Sequence, residues 1–116
     1  MQVATWNVNS LGVRLPQVLD WLATSPVDVL ALQELKLTDD KFPVDAFTAA
    51  GYHAQWFGQK TYNGVALLSR TPATDVVRNI PGFDDDMARV ITATVDGVRV
   101  IGAYFPNGQA PGSEKF

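Results

Sequence analysis

At 116 residues the chain has room for one domain with its own core, and its apolar and charged fractions, 47% and 18%, are those of an ordinary globular fold. The absence of cysteine excludes a disulfide scaffold and a thiolate metal site, and a net charge of −3 with a pI near 4.8 argues against a protein that grips nucleic acid over its whole surface. No apolar run approaches the roughly 18 residues of a membrane span and no secretory signal opens the chain, so the expectation is a cytoplasmic protein with no membrane partner.

In chain order, Gln2 to Val8 alternates polar and apolar residues and is rich in β-formers, which predicts a central or near-central strand. Asn7 to Gly12 ends it with turn residues. Leu15, Val18, Leu19 and Leu22 recur at helical spacing, with Pro16 in the first turn, predicting a helix of about ten residues that stops before Pro26. Val29 to Leu32 is a short continuous apolar run after the Ser25-Pro26 turn signal, the mark of a strand covered on both faces, and the strand is predicted over Val27 to Gln33. Strand, helix, strand with tight links is a crossover unit, so these two strands are expected to be parallel or near neighbours. Asp39 to Phe42 is a polar loop, and Pro43 to Ala50 a short helix closed by Gly51. Strands are then predicted at Tyr52 to Phe57, Val65 to Ser69, Thr74 to Asn79, Val90 to Val95 and Val98 to Tyr104. Asn63-Gly64 and Asp96-Gly97 are hairpin signals between them. The residues from Phe105 onward are loop-like. The pattern is an α/β chain on a mixed, mostly antiparallel sheet.

Polar residues stand where strands end: Asn7, Glu34, and Tyr104 with Asn107. Groups at strand ends converge where open sheets collect ligands. One carboxylate with amides and a phenol, and no His or Cys cluster, suits a hard cation such as Mg²⁺, which is held by one or two carboxylates plus phosphate and water. That donor set belongs to phosphoester chemistry.

Four motifs carry a resemblance. Thr5-Trp6-Asn7-Val8-Asn9-Ser10-Leu11, Leu32-Gln33-Glu34-Leu35-Lys36, Tyr62-Asn63-Gly64-Val65-Ala66-Leu67-Leu68-Ser69 and Tyr104-Phe105-Pro106-Asn107-Gly108 follow one another across the chain. In this order they resemble the exonuclease III family of DNA-repair nucleases, within the DNase I-like endonuclease/exonuclease/phosphatase superfamily. The resemblance implies the N-terminal half of a four-layer αββα sandwich with its active site at one edge. It implies Glu34 as the carboxylate ligand of a catalytic Mg²⁺ or Mn²⁺, with Asn7 a ligand or a hydrogen-bonding group beside it. Tyr104 is expected to touch the scissile phosphate as a hydrogen-bond donor, the role that suits a phenol of pKa near 10, and Asn107 to bind the phosphate next to it. Arg14, Lys36, Lys60, Tyr62 and Arg89 are the candidates for contacts with DNA, and Lys36 alternatively orders Glu34.

Other conspicuous residues have plainer readings. Trp6 and Trp56 are expected in the core, His53 as a structural or solvated residue, and Asp84-Asp85-Asp86 as a solvated loop. Asn9 stands where some relatives carry Asp. The family's Asp-x-Asn strand, a further Asp and a Ser-Asp-His ending have no counterpart among the 116 residues. The expectation is therefore an N-terminal part of a single domain (residues 1–116) whose partner is the C-terminal half, with at most one of the two sheets and an exposed apolar face over Val65 to Leu68 and Val90 to Val100. The parent is expected to cleave duplex DNA at abasic sites and at 3′ ends. An inositol-phosphate or lipid phosphoesterase of the same fold and a catalytically incomplete DNA-binding module are the alternatives.

Overall fold

The computed structural model describes residues 1–25, 27–58, 63–78 and 90–104, and the elements of those residues follow one another as β1 (Val3–Asn7), α1 (Leu11–Thr24), β2 (Val29–Gln33), α2 (Val44–Ala49), β3 (His53–Phe57), β4 (Val65–Ser69), β5 (Thr74–Arg78), β6 (Val90–Val95) and β7 (Val98–Ala103). A short 3₁₀ turn, Asp39–Lys41, precedes α2. The strands form two sheets. One runs β1-β2-β4-β3, with β1 and β2 parallel and the other pairs antiparallel; the second is the antiparallel set β5-β6-β7.

Side-chain alternation along β2 and β4 divides the core into two layers. Leu30, Leu32, Ala66 and Leu68 face the helices and pack with Leu11, Val18, Leu22 and Phe47. Val29, Ala31, Val65 and Leu67 face the other way, against Ile91, Ala93, Val95 and Val100 of the second sheet. Every residue of β2 is buried, as a strand covered on both sides requires. Trp6 meets Trp21 edge to face at 6.1 Å and Trp56 stacks on Phe42 at 4.5 Å, so both tryptophans pack at the margin of the helix-side core. His53 is exposed at the start of β3.

The expectation of at most one sheet, with a bare apolar face, is corrected here. Parts of both sheets are present and cover one another: Val65, Leu67, Ile91 and Ala93 are each no more than 1% exposed. The physical reason is the Asp96-Gly97 turn. Both residues adopt positive φ, 49° and 78°, so the turn has the twist that closes a tight hairpin. β6 and β7 are thereby paired over their full length and lie across β4, β2 and β3.

Helix α1 begins earlier than the apolar spacing suggests, at Leu11, and places Pro16 inside its second turn. Its opening amides are satisfied from outside the helix. Ser10 N–H donates to the Glu34 carbonyl and Leu11 N–H to the Leu35 carbonyl, at 2.8 and 3.0 Å. Leu11 is also fully buried, which anchors the extra turn. The Asn63-Gly64 signal marks left-handed backbone, φ 60° and 93°, but not a two-residue hairpin, because β3 ends at Phe57 and β4 begins at Val65.

Among the described residues, β1 and β7 each form an edge of their sheet, and these two edges lie on the same side of the molecule. Strand β7 lies over β2 and β4, and β6 over β4 and β3, so the unpaired flank of β7 follows the unpaired flank of β1. A shallow groove of about 250 Å³ runs beside β1, lined by Ala4, Thr5, Trp6, Trp21 and Leu30.

Candidate active site at the strand ends

The parallel pair β1-β2 is registered Asn7 to Gln33, and the antiparallel β4 pairs Val65 with Gln33. The last residues of β1 and β2 and the first of β4 therefore share one edge. Glu34 leaves the sheet there in a left-handed conformation, φ 56°. Tyr104, which follows β7, packs against the inter-sheet core and donates its hydroxyl proton to Glu34 Oε1 at 3.0 Å. A carboxylate from one sheet and a phenol from the other thus meet, although 70 residues separate them in sequence.

Asn7 is exposed and its Oδ1 accepts the Asn9 amide at 3.1 Å. Lys36 does not turn to Glu34; its ammonium donates to Asn9 Oδ1 at 2.7 Å. Arg14 is half-buried on α1, where its backbone N–H donates to the Ser10 carbonyl. Lys60, Tyr62, Arg89 and Asn107 lie outside the described residues, as does the Asp84-Asp85-Asp86 run.

Backbone strain collects at this edge. Asn9, Ser10, Glu34, Lys36 and Asn63 are five of the seven non-glycine residues with positive φ among the described residues. Such conformations persist where surrounding structure over-determines them. Here it is a set of backbone bonds: Leu35 N–H to the Gly64 carbonyl, Lys36 N–H to the Asn63 carbonyl, and the two bonds from the start of α1. Gly64 is required for this packing, since a Cβ there would lie 2.9 Å from Leu35 Cβ on a backbone at φ 93°. Gly64→Ala is expected to lower unfolding free energy by about 2–4 kcal/mol. Gly51→Ala, at φ 90° with nothing near its Cβ, is the comparison and is expected to lose about 1 kcal/mol. Urea unfolding midpoints of the two variants check the difference.

The oxygens of Glu34, Asn7 and Asn9 fit a hard divalent cation in kind. They are a carboxylate and two amides, of which Asn9 Oδ1 already accepts the Lys36 ammonium, so Glu34 and Asn7 are the oxygens left for an ion that completes its shell with water and phosphate. Among the described residues no group of three or more His, Cys, Asp or Glu side chains forms a fuller cage. Sequence reading passed over Gln33 and Thr5. Gln33 is only 8% exposed and donates to Thr5 Oγ1 at 2.7 Å and to the Ala31 carbonyl at 3.2 Å. The signal for it was a carboxamide closing an otherwise apolar strand.

The comparisons agree with this architecture. The model of the Endonuclease/Exonuclease/phosphatase family matches residues 4–114, and the chain belongs to that family. The chain is 33% identical over 128 aligned positions to exodeoxyribonuclease III of Haemophilus influenzae, covering all of this chain and 48% of that protein. Among solved structures, a Neisseria 3′ phosphatase bound to a product DNA hairpin superposes with a TM-score of 0.94 at 57% identity. An AP endonuclease from Archaeoglobus fulgidus superposes with a TM-score of 0.93 at 39% identity. Each match covers 99% of this chain and 45% of the other. The chain thus spans about half the length of these relatives. No described helix is long and apolar enough to cross a membrane.

Proposed function

We propose that this chain carries the metal-binding and phosphate-contacting half of a DNA-repair phosphodiesterase that acts on duplex DNA at abasic sites and at 3′ ends. The observation that carries the reading is the Tyr104–Glu34 hydrogen bond, which joins the two sheets at the strand ends, in a chain of this family. Glu34 would hold the divalent cation, Mg²⁺ or Mn²⁺, with Asn7 beside it. When bound, the ion neutralises phosphate charge as a Lewis acid. An ionised carboxylate has about four lone-pair sites, so Glu34 can accept the Tyr104 proton and still offer an oxygen to a cation. Tyr104 has a single hydroxyl proton, so with substrate bound the phenol would turn that proton from Glu34 to a phosphoryl oxygen, freeing the carboxylate for the cation, and Asn7 would be a second donor that adds no negative charge near phosphate. Lys36 and Arg14 would contact more distant phosphates, with Lys60, Tyr62 and Arg89 as further DNA contacts and Asn107 binding the scissile phosphate. The similarity to a 3′ phosphatase favours 3′-end processing as one of the reactions.

The family motifs that would orient or deprotonate the attacking water have no counterpart among the 116 residues, and, because the chain spans about half of its relatives' length, we assign those groups to a C-terminal half that would complete the domain. The purified chain is therefore expected to bind a 3′-phosphorylated hairpin in a Mg²⁺- and salt-dependent way without cleaving it. Competition between abasic duplex and a soluble inositol phosphate tests the substrate class, with DNA expected to win. Robust nicking of abasic duplex by the chain alone overturns the division of the site, and preference for the soluble phosphoester overturns the DNA assignment.

A further inference from the structure

Among the described residues Gln33 has one hydrogen-bonding atom without a partner and sits next to a residue with the complementary one. Register places Gln33 opposite Asn7, so the two side chains leave the sheet on the same face, in the row continued by Val29 and Ala31. The orientation of the Gln33 carboxamide is fixed by its partners. The Ala31 carbonyl can only accept, so the atom facing it is the –NH₂, and Thr5 Oγ1 takes the second proton. The Gln33 Oε1 atom is then an acceptor with no donor among the described residues, on a side chain more than nine-tenths buried. A buried acceptor without a partner costs free energy that a matching donor recovers. Asn7 has the opposite surplus. Its Oδ1 is occupied by the Asn9 amide, and its –NH₂ has no acceptor among the described residues.

We infer that Gln33 is a positioning residue for Asn7: when phosphate and cation occupy the strand ends, Gln33 Oε1 accepts one Asn7 Nδ2 proton and so aims the other at the phosphate. The inference rests on the function proposed above. No proton is transferred; one hydrogen bond forms and the Asn7 amide loses its rotational freedom. Thr5 is the far anchor of this arrangement, because its hydroxyl oxygen keeps the Gln33 –NH₂ turned away from Asn7.

The test follows the side-chain amide resonances of Asn7 in the 116-residue chain during titration with Mg²⁺ and a 3′-phosphorylated DNA hairpin. In the native chain the two Asn7 Nδ2 protons are expected to move apart and to exchange more slowly with water. In Gln33→Met this response is lost and hairpin affinity falls about tenfold, the lower end of what losing a supporting hydrogen bond costs such sites. Thr5→Val, at an exposed position, is expected to act in the same direction without threatening the fold. Asn7→Ala combined with Gln33→Met is expected to cost no more than Asn7→Ala alone, whereas a merely structural Gln33 gives additive costs. An Asn7 response unchanged in both Gln33→Met and Thr5→Val, or additive costs in the double variant, overturns the inference while leaving the function standing. No response at Glu34, Tyr104 or Asn7 in the native chain overturns the function and this inference with it.

Discussion

Glu34→Gln is expected to leave the chain folded and to remove its hold on a divalent cation. Glu34 is half-buried and makes one side-chain hydrogen bond among the described residues, from Tyr104, and a glutamine Oε1 still accepts that proton. The loss in unfolding free energy should therefore stay within about 1 kcal/mol. Its effect on metal is of another size. Groups that only support a metal ligand account for about 10–100-fold in affinity, so loss of the one carboxylate in the set should weaken Mn²⁺ binding by at least about 100-fold. Calorimetric titration of Mn²⁺ into the native and Glu34→Gln chains, with a urea melt of each, separates the two effects. Tyr104→Phe is the companion variant. It keeps the ring packed between the sheets and deletes only the hydroxyl, so Mn²⁺ binding is retained while hairpin affinity falls about tenfold or more, as for loss of a bond to a charged group. Equal Mn²⁺ affinity in the native and Glu34→Gln chains would place the cation elsewhere.

The second large effect concerns the contact between the sheets. Leu67 is 1% exposed at the centre of the inter-sheet layer, and a Cβ built on Gly102 of β7 would lie 3.0 Å from Leu67 Cδ2. Leu67→Ala should cost about 2–5 kcal/mol, from lost transfer free energy and the space left behind. Gly102→Ala alone should cost about 1–3 kcal/mol, because the buried leucine must give way to the added methyl group. In the double variant that methyl fills part of the space vacated by Leu67, so the combined loss should be smaller than the sum of the two single losses. Neighbours that share a cavity couple by about 0.5–3 kcal/mol. Unfolding curves of the three variants read this coupling directly, and strict additivity would mean that the two residues do not touch.

Much of this architecture is legible in the amino-acid sequence. β2 could be recognised because four apolar residues in a row, Val29 to Leu32, have no polar face to show, and the structure buries all of them. The Asp96-Gly97 turn was legible because its two residue types tolerate positive φ. What one strand packs against is another matter. The alternation of Val90 to Val95 says that one face is buried, and it does not say whether a helix or a second sheet lies on it, so the presence of both sheets was missed. The start of α1 was hidden for a related reason. Its first amides are satisfied by carbonyls of Glu34 and Leu35, more than twenty residues on, and no local capping residue announces that. At the site, Glu34 stood out because charge follows an apolar run. The strand-end placement of Asn7 and Tyr104 was legible too, but their convergence depends on register and on how the sheets stack. Gln33 was overlooked because its significance lies in which of its atoms is left over, a matter of three-dimensional partners alone.

The shared direction of the two free edges has a consequence for assembly. Among the described residues both flanks open on the same side, so a strand that extended the β1 edge would put a segment connected to it within reach of β7. Pairing at the first edge thus converts pairing at the second into an intramolecular event, governed by an effective concentration in the millimolar range when the connection is short. A partner matched to both edges is captured with an avidity that neither contact supplies by itself, and a partner matched to only one leaves a row of unpaired amides and carbonyls still exposed. Discrimination between the two is then set by geometry, by whether the second edge can be reached at all, before any side chain is read.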